Sequence, residues 1–533
     1  MPEAGLRASG HVDKFQDVLV RDLGTEECHR FDHLLLAAVE AEVSKGTAPP
    51  SKLEQARAAI AQGESCPDHC RRVQEQFGLT VHPETGNALS QPFPFNLMFE
   101  ASIGPEGKQK VFLRPETAQS IFVNFQRFYD QAGSRLPFAV TCVGQAFRNE
   151  ASPRQGLLRT REFSMAELEY FHWPDEKSHS SFQELASTAI PVLVSSDVRE
   201  AVSRVAKAEK AQEESEDIAW VALGDSVAEG VVTSELAAVY MARTMAFLTA
   251  IGIKREKVRF RKHAATEMAH YSSECWDAEI LSERYGWIEC VGISDRSCYD
   301  LSAHARHTSQ GHGLRAFRAF PDGPRKEQQL VVQPVQPGFG KHFRKDARGV
   351  QELLKGLGQE QAEAVEQQLQ KGSEFIALPL ADGSSLSVPA SLLSCVKREV
   401  QVAGESAFPH VLEPSFGINR ILYSLLEQSF YLREGDEERG VLALAPSVAP
   451  VTCAVLPLSN DKKLKRIARC LSTALSQSSV RHVVDDSSSS IGRRYARADE
   501  LGIPFTLTVD FETAEAVEES DRLDITPATV TIR

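Results

Sequence analysis

Charged residues spaced two apart inside otherwise apolar runs constrain this chain more than any other feature. In FRNEASPRQGLLRTREFSMAELEY (147–170), one residue separates Arg148 from Glu150, Arg159 from Arg161, and Glu167 from Glu169. Successive strand side chains point to opposite faces, so each pair shares a face of an extended segment. Pro153 and Gly156 mark a loop between the two arms. RPET (114–117) and EPSFGINR (413–420) add further Arg–Glu and Glu–Arg pairs set in apolar sequence. A sheet face with arginines beside glutamates can hold phosphates at one end and an ammonium at the other. The competing reading, cross-strand surface ion pairs, contributes little to stability. It also leaves unexplained why the charges sit in apolar runs, where burial makes them costly.

The rest of the chain suggests what carries that face. KVFLRPE (110–116), LPFAVTCVG (136–144), FSMAELEYF (163–171) and GWIECVGI (286–293) read as strands. No regular short helices link them, so an antiparallel sheet with helices and long insertions is expected rather than a doubly wound one. Polar, charge-rich stretches lie at about 40–91, 176–217 and 320–388, and AKAEKAQEESED (206–217) reads as a solvated helix. SFGINRILYSLLEQSFY (415–431) carries helical apolar spacing at 418, 421, 422, 425 and 426. From Val451 the order is strand (451–458), basic helix (461–475), strand (481–486), helix (490–502) and strand (503–510). Such alternation marks a small α/β domain, with a boundary near 440–450. Ser487–Ser490 reads as a polar loop.

Several classes are excluded or demoted. The 533 residues allow about three domains. No apolar run approaches a membrane span, and the N-terminal MPEAGLRASGHVDKF has no targeting character. Ten scattered cysteines read as reduced thiols, and hence a cytosolic setting. A net charge of −14 argues against unselective coating of nucleic acid. Lys462–Arg497 nevertheless holds nine Lys/Arg against Asp485 and Asp486, a local +7 suited to a partner with phosphates at one place. Neither G-x-x-x-x-G-K-[ST] nor G-x-G-x-x-G occurs. CPDHC (66–70) lacks a fourth metal ligand at zinc spacing and reads as a solvated loop, as do His304, His307 and His312.

Taken together, these segments resemble the class II aminoacyl-tRNA synthetases, specifically glycyl-tRNA synthetases of the eukaryote-like dimeric type. FRNE (147–150) with RTREF (159–163) resembles motif 2, and EPSFGINR (413–420) resembles motif 3. SGHVDKF (9–15), FNLMFEASIGP (95–105), FLRPETAQSIFVNF (112–125), DRSCYDL (295–301) and SSIGRRYARADELGIPF (489–505) resemble the glycyl family's own segments, in order, from about 9 to about 510. Class I signatures are absent. The resemblance implies an α+β fold: an antiparallel-sheet catalytic domain over 1–445, with insertions at about 40–91, 176–260 and 320–395, and an α/β anticodon-binding domain over 446–533.

It also implies a division of labour. ATP would meet Arg148, Asn149, Glu150, Arg159, Thr160, Phe163, Glu289, Cys290 and Arg420. Arg148 would lie at the α-phosphate, Phe163 under adenine and Arg420 at the γ-phosphate; Arg148 and Arg420 would be catalytic, and Glu289 a Mg²⁺ ligand. Glycine would meet Glu116, Glu167 and the Glu413–Pro414–Ser415 turn. Arg493, Arg494, Tyr495 and Arg497 would meet the tRNA anticodon. Glycine has no side chain, so the site must grip an ammonium and refuse a methyl; no smaller amino acid exists, so an editing site is hardly needed. The implied activity is glycine–tRNA ligation through glycyl-adenylate, with Mg²⁺–ATP, glycine and tRNA(Gly) as partners. A cytoplasmic homodimer is implied, or a mitochondrial isoform from an upstream start.

Some positions depart from the family pattern. Asn419 stands where motif 3 has its second Gly, a turn for which Asn is suited. Ser120 replaces the Gly usual after RPETAQ. The chain opens at the end of the motif 1 strand and stops before a last expected helix, so both ends are expected to fall short of the family's and the dimer to be weakened, leaving an exposed apolar patch. Two other readings compete. A non-catalytic paralogue that binds nucleic acid or a polymerase partner would have lost the ATP-gripping arginines and glycine-gripping glutamates. A ligase for threonine, proline or histidine would not need three glutamates.

Overall fold

The computed structural model describes all residues except 64–65, 154, 196–197, 206–217, 265–267, 309–313, 337, 380–384, 520–530 and 533. The helix expected over 206–217, and His312, therefore lie outside the described residues.

An N-terminal lobe precedes the main sheet. In it, CPDHC opens helix α1, Pro67–Phe77, rather than a loop. Pro67 supplies a φ suited to the first turn, where its missing N–H costs nothing. Cys66 stays exposed at the N-cap, Cys70 is buried, and His69 Nε2 lies 2.8 Å from the Ala59 carbonyl. Helix α2, Ala118–Phe122, follows the RPET turn.

Eight strands then form the main sheet: β1 Phe138–Phe147, β2 Glu162–His172, β3 Ala189–Leu193, β4 Ile218–Ala222, β5 Val258–Lys262, β6 Glu274–Ser282, β7 Gly286–Ser297 and β8 His410–Gly417. Their spatial order is β1-β2-β8-β7-β6-β5-β3-β4, and every pairing except β5 with β3 is antiparallel. The expected antiparallel sheet is present. Helix α3, Glu235–Ile251, packs Leu236, Val239, Met241 and Leu248 into the core behind the sheet. Ser234 caps its start and Gly252, at φ +112°, ends it in a conformation that suits glycine. Part of the 176–260 stretch expected as an insertion is thus integral to the main core. Helix α4, Tyr299–Arg306, covers the opposite face with α2, over Phe171 and Val411. Residues 325–402 hold a two-stranded ladder, Arg325–Pro334 with Leu393–Val402, over a separate core that includes Phe339, Leu354 and Ile376.

Helix α5, Ile418–Ser429, returns to the rear core through Ile421 and Leu425. Asn419 lies within α5 and is not left-handed; its Oδ1 accepts from the Ser164 N–H at 3.0 Å, tying α5 to β2. The last domain has β9 Cys453–Pro457 between β10 His482–Val484 and β11 Phe505–Val509, all parallel. Helices α6, Lys462–Gln477, and α7, Ile491–Glu500, connect them, as the sequence pattern requires.

Candidate active site

The front face of the main sheet is graded along its strands. Front-facing β2 residues run Phe171, Glu169, Glu167, Met165, Phe163, and their β1 neighbours run Phe138, Val140, Cys142, Gly144, Ala146. Phe171 and Val411 form an apolar floor with α2 and α4. Above it come the glutamates, and past Met165 the sheet opens between Phe163, Arg148 and Arg420. Two adjoining cavities, about 360 and 400 Å³, occupy this end and share Arg148, Glu150, Arg159, Glu289 and Arg420.

In the deeper part, carboxylates gather around one buried guanidinium. A β-bulge between Asp295 and Ser297 turns Arg296 inward. Its Nη1 donates to Glu413 Oε2 at 2.7 Å, its Nε to Asp300 Oδ2 at 2.8 Å, and its Nη2 to Asp300 Oδ1 at 3.0 Å and Glu116 Oε1 at 3.4 Å. The Tyr271 ring lies 3.9 Å from its Cζ. Gln119 Nε2 donates to both Glu116 and Asp300 at 2.8 Å. Glu167 Oε2 accepts from the Thr117 N–H at 2.6 Å and the Thr117 hydroxyl at 2.5 Å, and its Oε1 accepts from Ser415 Oγ at 3.2 Å. Burial acts to raise the three glutamates, but at Glu116 the Arg296 charge outweighs it and holds the group well below its usual range. Burial raises Glu413 despite Arg296, and raises Glu167 with help from Glu116. The arrangement has excess negative charge and suits one small cation.

Toward the opening, the arginines are held ready for anions. Arg148 lies between the Phe15 and Phe163 rings, with its Cζ at 5.5 and 5.4 Å from their centroids. Arg159 Nε donates to Glu150 Oε2 at 3.0 Å, and Thr160 Oγ1 to the Glu162 carbonyl at 2.6 Å. Arg420 donates to the Leu158 and Glu289 carbonyls at 3.2 and 2.9 Å, with the Glu289 carboxylate 3.8 Å away. On a side wall, His263 Nε2 lies 2.7 Å from Asp277 Oδ2 beside Cys275. Burial alone would lower His263, but its bond to Asp277 raises it to about 10. His263, Cys275 and Asp277 could together hold a metal, although Arg261 already donates to Asp277 at 2.7 Å.

The structure brings Glu116, Arg148, Glu150, Arg159, Thr160, Phe163, Glu167, Glu289, Glu413, Ser415 and Arg420 to this one cleft. The side chains of three other expected residues turn elsewhere. The Cys290 side chain packs in the rear core, where burial pushes its thiol up to about 12, although the residue also borders the cleft. Pro414 lies buried between the front-facing Glu413 and Ser415, and alternation turns its ring to the rear. Asn149 turns aside, donating its N–H to the Leu97 carbonyl at 2.7 Å and its Nδ2 to the Asn96 carbonyl at 3.5 Å. The histidines expected as a loop cluster also separate: His304 is buried in α4 with its Nε2 2.7 Å from Gln119 Oε1, and His307 Nδ1 lies 3.0 Å from the Ala303 carbonyl. Sequence reasoning singled out neither Arg296 nor Asp300. Their i, i+4 spacing in DRSCYDL was the available signal.

In the last domain the four expected anticodon residues divide. Arg493 and Arg497 are exposed, Arg497 pairing with Asp485 at 2.8 Å. Arg494 is buried, donating to the carbonyls of Pro457, Asp485, Leu458 and Ser489 at 2.7, 3.0, 3.2 and 3.2 Å. Tyr495 packs with Ala454, Leu456 and Ala498, its hydroxyl 2.5 Å from Thr508 Oγ1. Arg494 and Tyr495 therefore help to hold the domain together.

Residues 99–429 match the model of the tRNA synthetase class II core domain (G, H, P, S and T), and 452–526 match the anticodon-binding domain. A glycine–tRNA ligase of Drosophila melanogaster is 42% identical over the whole chain, which spans 66% of that relative's length. One from Bombyx mori is also 42% identical over the whole chain, which spans 68% of it. One from Methanocaldococcus jannaschii is 38% identical across 96% of the chain and 82% of its own length.

Proposed function

Since the chain belongs to the class II aminoacyl-tRNA synthetases and, among them, to the glycine–tRNA ligase family, we propose that it activates glycine with ATP and transfers it to tRNA(Gly). One observation carries the reading: Glu116, Glu167 and Glu413 line one end of the same cleft that Arg148 and Arg420 line. The glycine ammonium lies among the three glutamates, with Ser415 beside it. This aims the carboxylate along the sheet toward an α-phosphate held by Arg148. A carboxylate oxygen attacks the α-phosphorus, pyrophosphate leaves near Arg420, and glycyl-adenylate remains. The terminal ribose hydroxyl of tRNA then attacks the glycyl carbonyl and AMP departs. Positioning and charge stabilisation suffice for both steps, and no side-chain nucleophile takes part.

The half-exposed Glu289 on the cleft wall fits a magnesium ion brought by ATP, because Mg²⁺ commonly takes one or two carboxylates with phosphate oxygens and water. Bound there, the ion would offset triphosphate charge. Arg493 and Arg497 are the arginines of α7 that can meet tRNA. Ala139, Thr141 and Val143, exposed on edge strand β1, favour a second copy of the chain as partner. Among the described residues no helix is long and apolar enough to cross a membrane. The ten scattered cysteines, all free thiols, favour the cytoplasm.

Pyrophosphate exchange into ATP, run with each of the twenty amino acids, tests the assignment. Exchange with glycine alone is expected. Exchange with none would overturn it in favour of a non-catalytic binding protein.

A further inference from the structure

Glu169 is a carboxyl group of the pocket to which the reaction above gives no role. It is completely buried, and neither of its carboxylate oxygens has a hydrogen-bond partner. Its neighbours differ in this respect: Glu116, Glu167, Glu413 and Asp300 each accept at least one hydrogen bond. Oxygens of Glu167, Glu169 and Glu413 lie within 4.8 Å of one another. The register places Glu169 opposite Glu413, because Leu412 pairs with Tyr170 and Ser415 with Glu167. Between these pairs the β2–β8 ladder lapses, and Pro414 has no N–H to continue it.

The surroundings are unfavourable to a second charge here. Glu167 faces Glu169 from its own strand, Glu413 from β8, and Asp300 from α4, with Glu116 beyond at the RPET turn; the one cation among them is Arg296. Strand β1 contributes only Val140 at this level. An ionised Glu169 would be desolvated, without a donor, and pressed against the like charges of Glu167, Glu413 and Asp300. The neutral acid has one O–H to give, and Glu413 offers an acceptor across the gap. Burial, reinforced by Glu413, holds the Glu169 carboxyl well above its ordinary range.

We propose that Glu169 is a positioning residue that keeps its proton at neutral pH and donates it to the Glu413 carboxylate, fixing that carboxylate toward the substrate ammonium. The inference rests on the reading of this pocket as the glycine site. Its effect is twofold. Glu413 is clamped from two sides, by Arg296 and by Glu169, and the pocket carries one negative charge fewer than its carboxyl groups would otherwise give it.

Glu169→Gln keeps the shape and a neutral donor, whereas Glu169→Leu keeps bulk and removes the donor. At neutral pH, the infrared difference spectrum between wild type and Glu169→Gln should show the loss of a protonated-carboxyl C=O stretch. Glycine KM in pyrophosphate exchange should stay near wild type in Glu169→Gln. In Glu169→Leu it should rise about tenfold or more, the scale of a lost charge-assisted hydrogen bond, with KM for ATP unchanged. No missing protonated-carboxyl band, or a tenfold rise in glycine KM already in Glu169→Gln, would overturn the proposal. If the leucine variant does not fold, the glutamine variant decides alone. Should wild type exchange with no amino acid, the reading of the pocket fails, while the infrared band still reports whether Glu169 carries a proton.

Discussion

At the scale of single residues, the pocket works because each carboxylate is held differently. Glu167 is fixed from behind by Thr117 and from the side by Ser415, leaving its charge for the ammonium. Glu167→Gln should therefore raise KM for glycine by about ten- to a hundredfold, the worth of one charged hydrogen bond, and leave KM for ATP alone. Titrating each substrate separately in pyrophosphate exchange checks this, and a rise confined to ATP would remove Glu167 from the glycine pocket. Arg296 has the opposite character, a buried cation among acids. Arg296→Met should cost about 3–5 kcal/mol in denaturant unfolding, because the carboxylates it leaves behind remain buried. An unchanged midpoint would mean that the acids already hold protons enough to do without it. The paired glutamates were legible from their spacing on a strand. The arginine that organises them was not, because a bulge reverses its direction and nothing in the local pattern announces a bulge.

At the scale of elements, α7 shows how a correct helix can carry a misread face. Ile491, Arg494, Tyr495 and Ala498 follow i, i+3, i+4, i+7 spacing, the stripe a helix turns inward. Read that way, Arg494 and Tyr495 belong to the interior despite their chemistry, and Arg493 and Arg497 to the surface. Arg494 joins the ends of β9 and β10 to the loop before α7 through four main-chain carbonyls. Arg494→Ala orphans those acceptors at about 1–3 kcal/mol for each one left buried, so the domain should melt earlier. Arg493→Ala should leave the melting temperature alone, weaken tRNA binding, and lower the salt slope by about one. Calorimetry beside tRNA titration at several salt concentrations separates the two effects, and equal loss of stability in both variants would contradict the division. The strands and helices from β9 to β11 were readable, because their alternation is local; the helix Phe511–Glu519 that follows was not singled out.

At the scale of the whole molecule, two raised groups set the alkaline side of the stability curve. Glu169 is held well above its ordinary range when folded, so the native state holds a proton the unfolded chain has lost. Stability should therefore fall as pH rises above the ordinary carboxyl range. His263 is raised from 6.5 to about 10, so its contribution is full below 6.5 and is lost as pH climbs through 10. The melting temperature should decline from about pH 5 to about pH 10, and His263→Asn should flatten the upper part; a rising or level profile would contradict both assignments. Grading along β2 has a different kind of consequence. From Glu167 to Phe163 the strand advances four residues, about 13 Å, with every stop fixed by covalent geometry. The sheet is a ruler with an anion-seeking mark at one end and a cation-seeking mark at the other. On the proposed reading, what it measures is the number of bonds between a ligand's two charges, so a homologue lengthened in its backbone should be refused for its span.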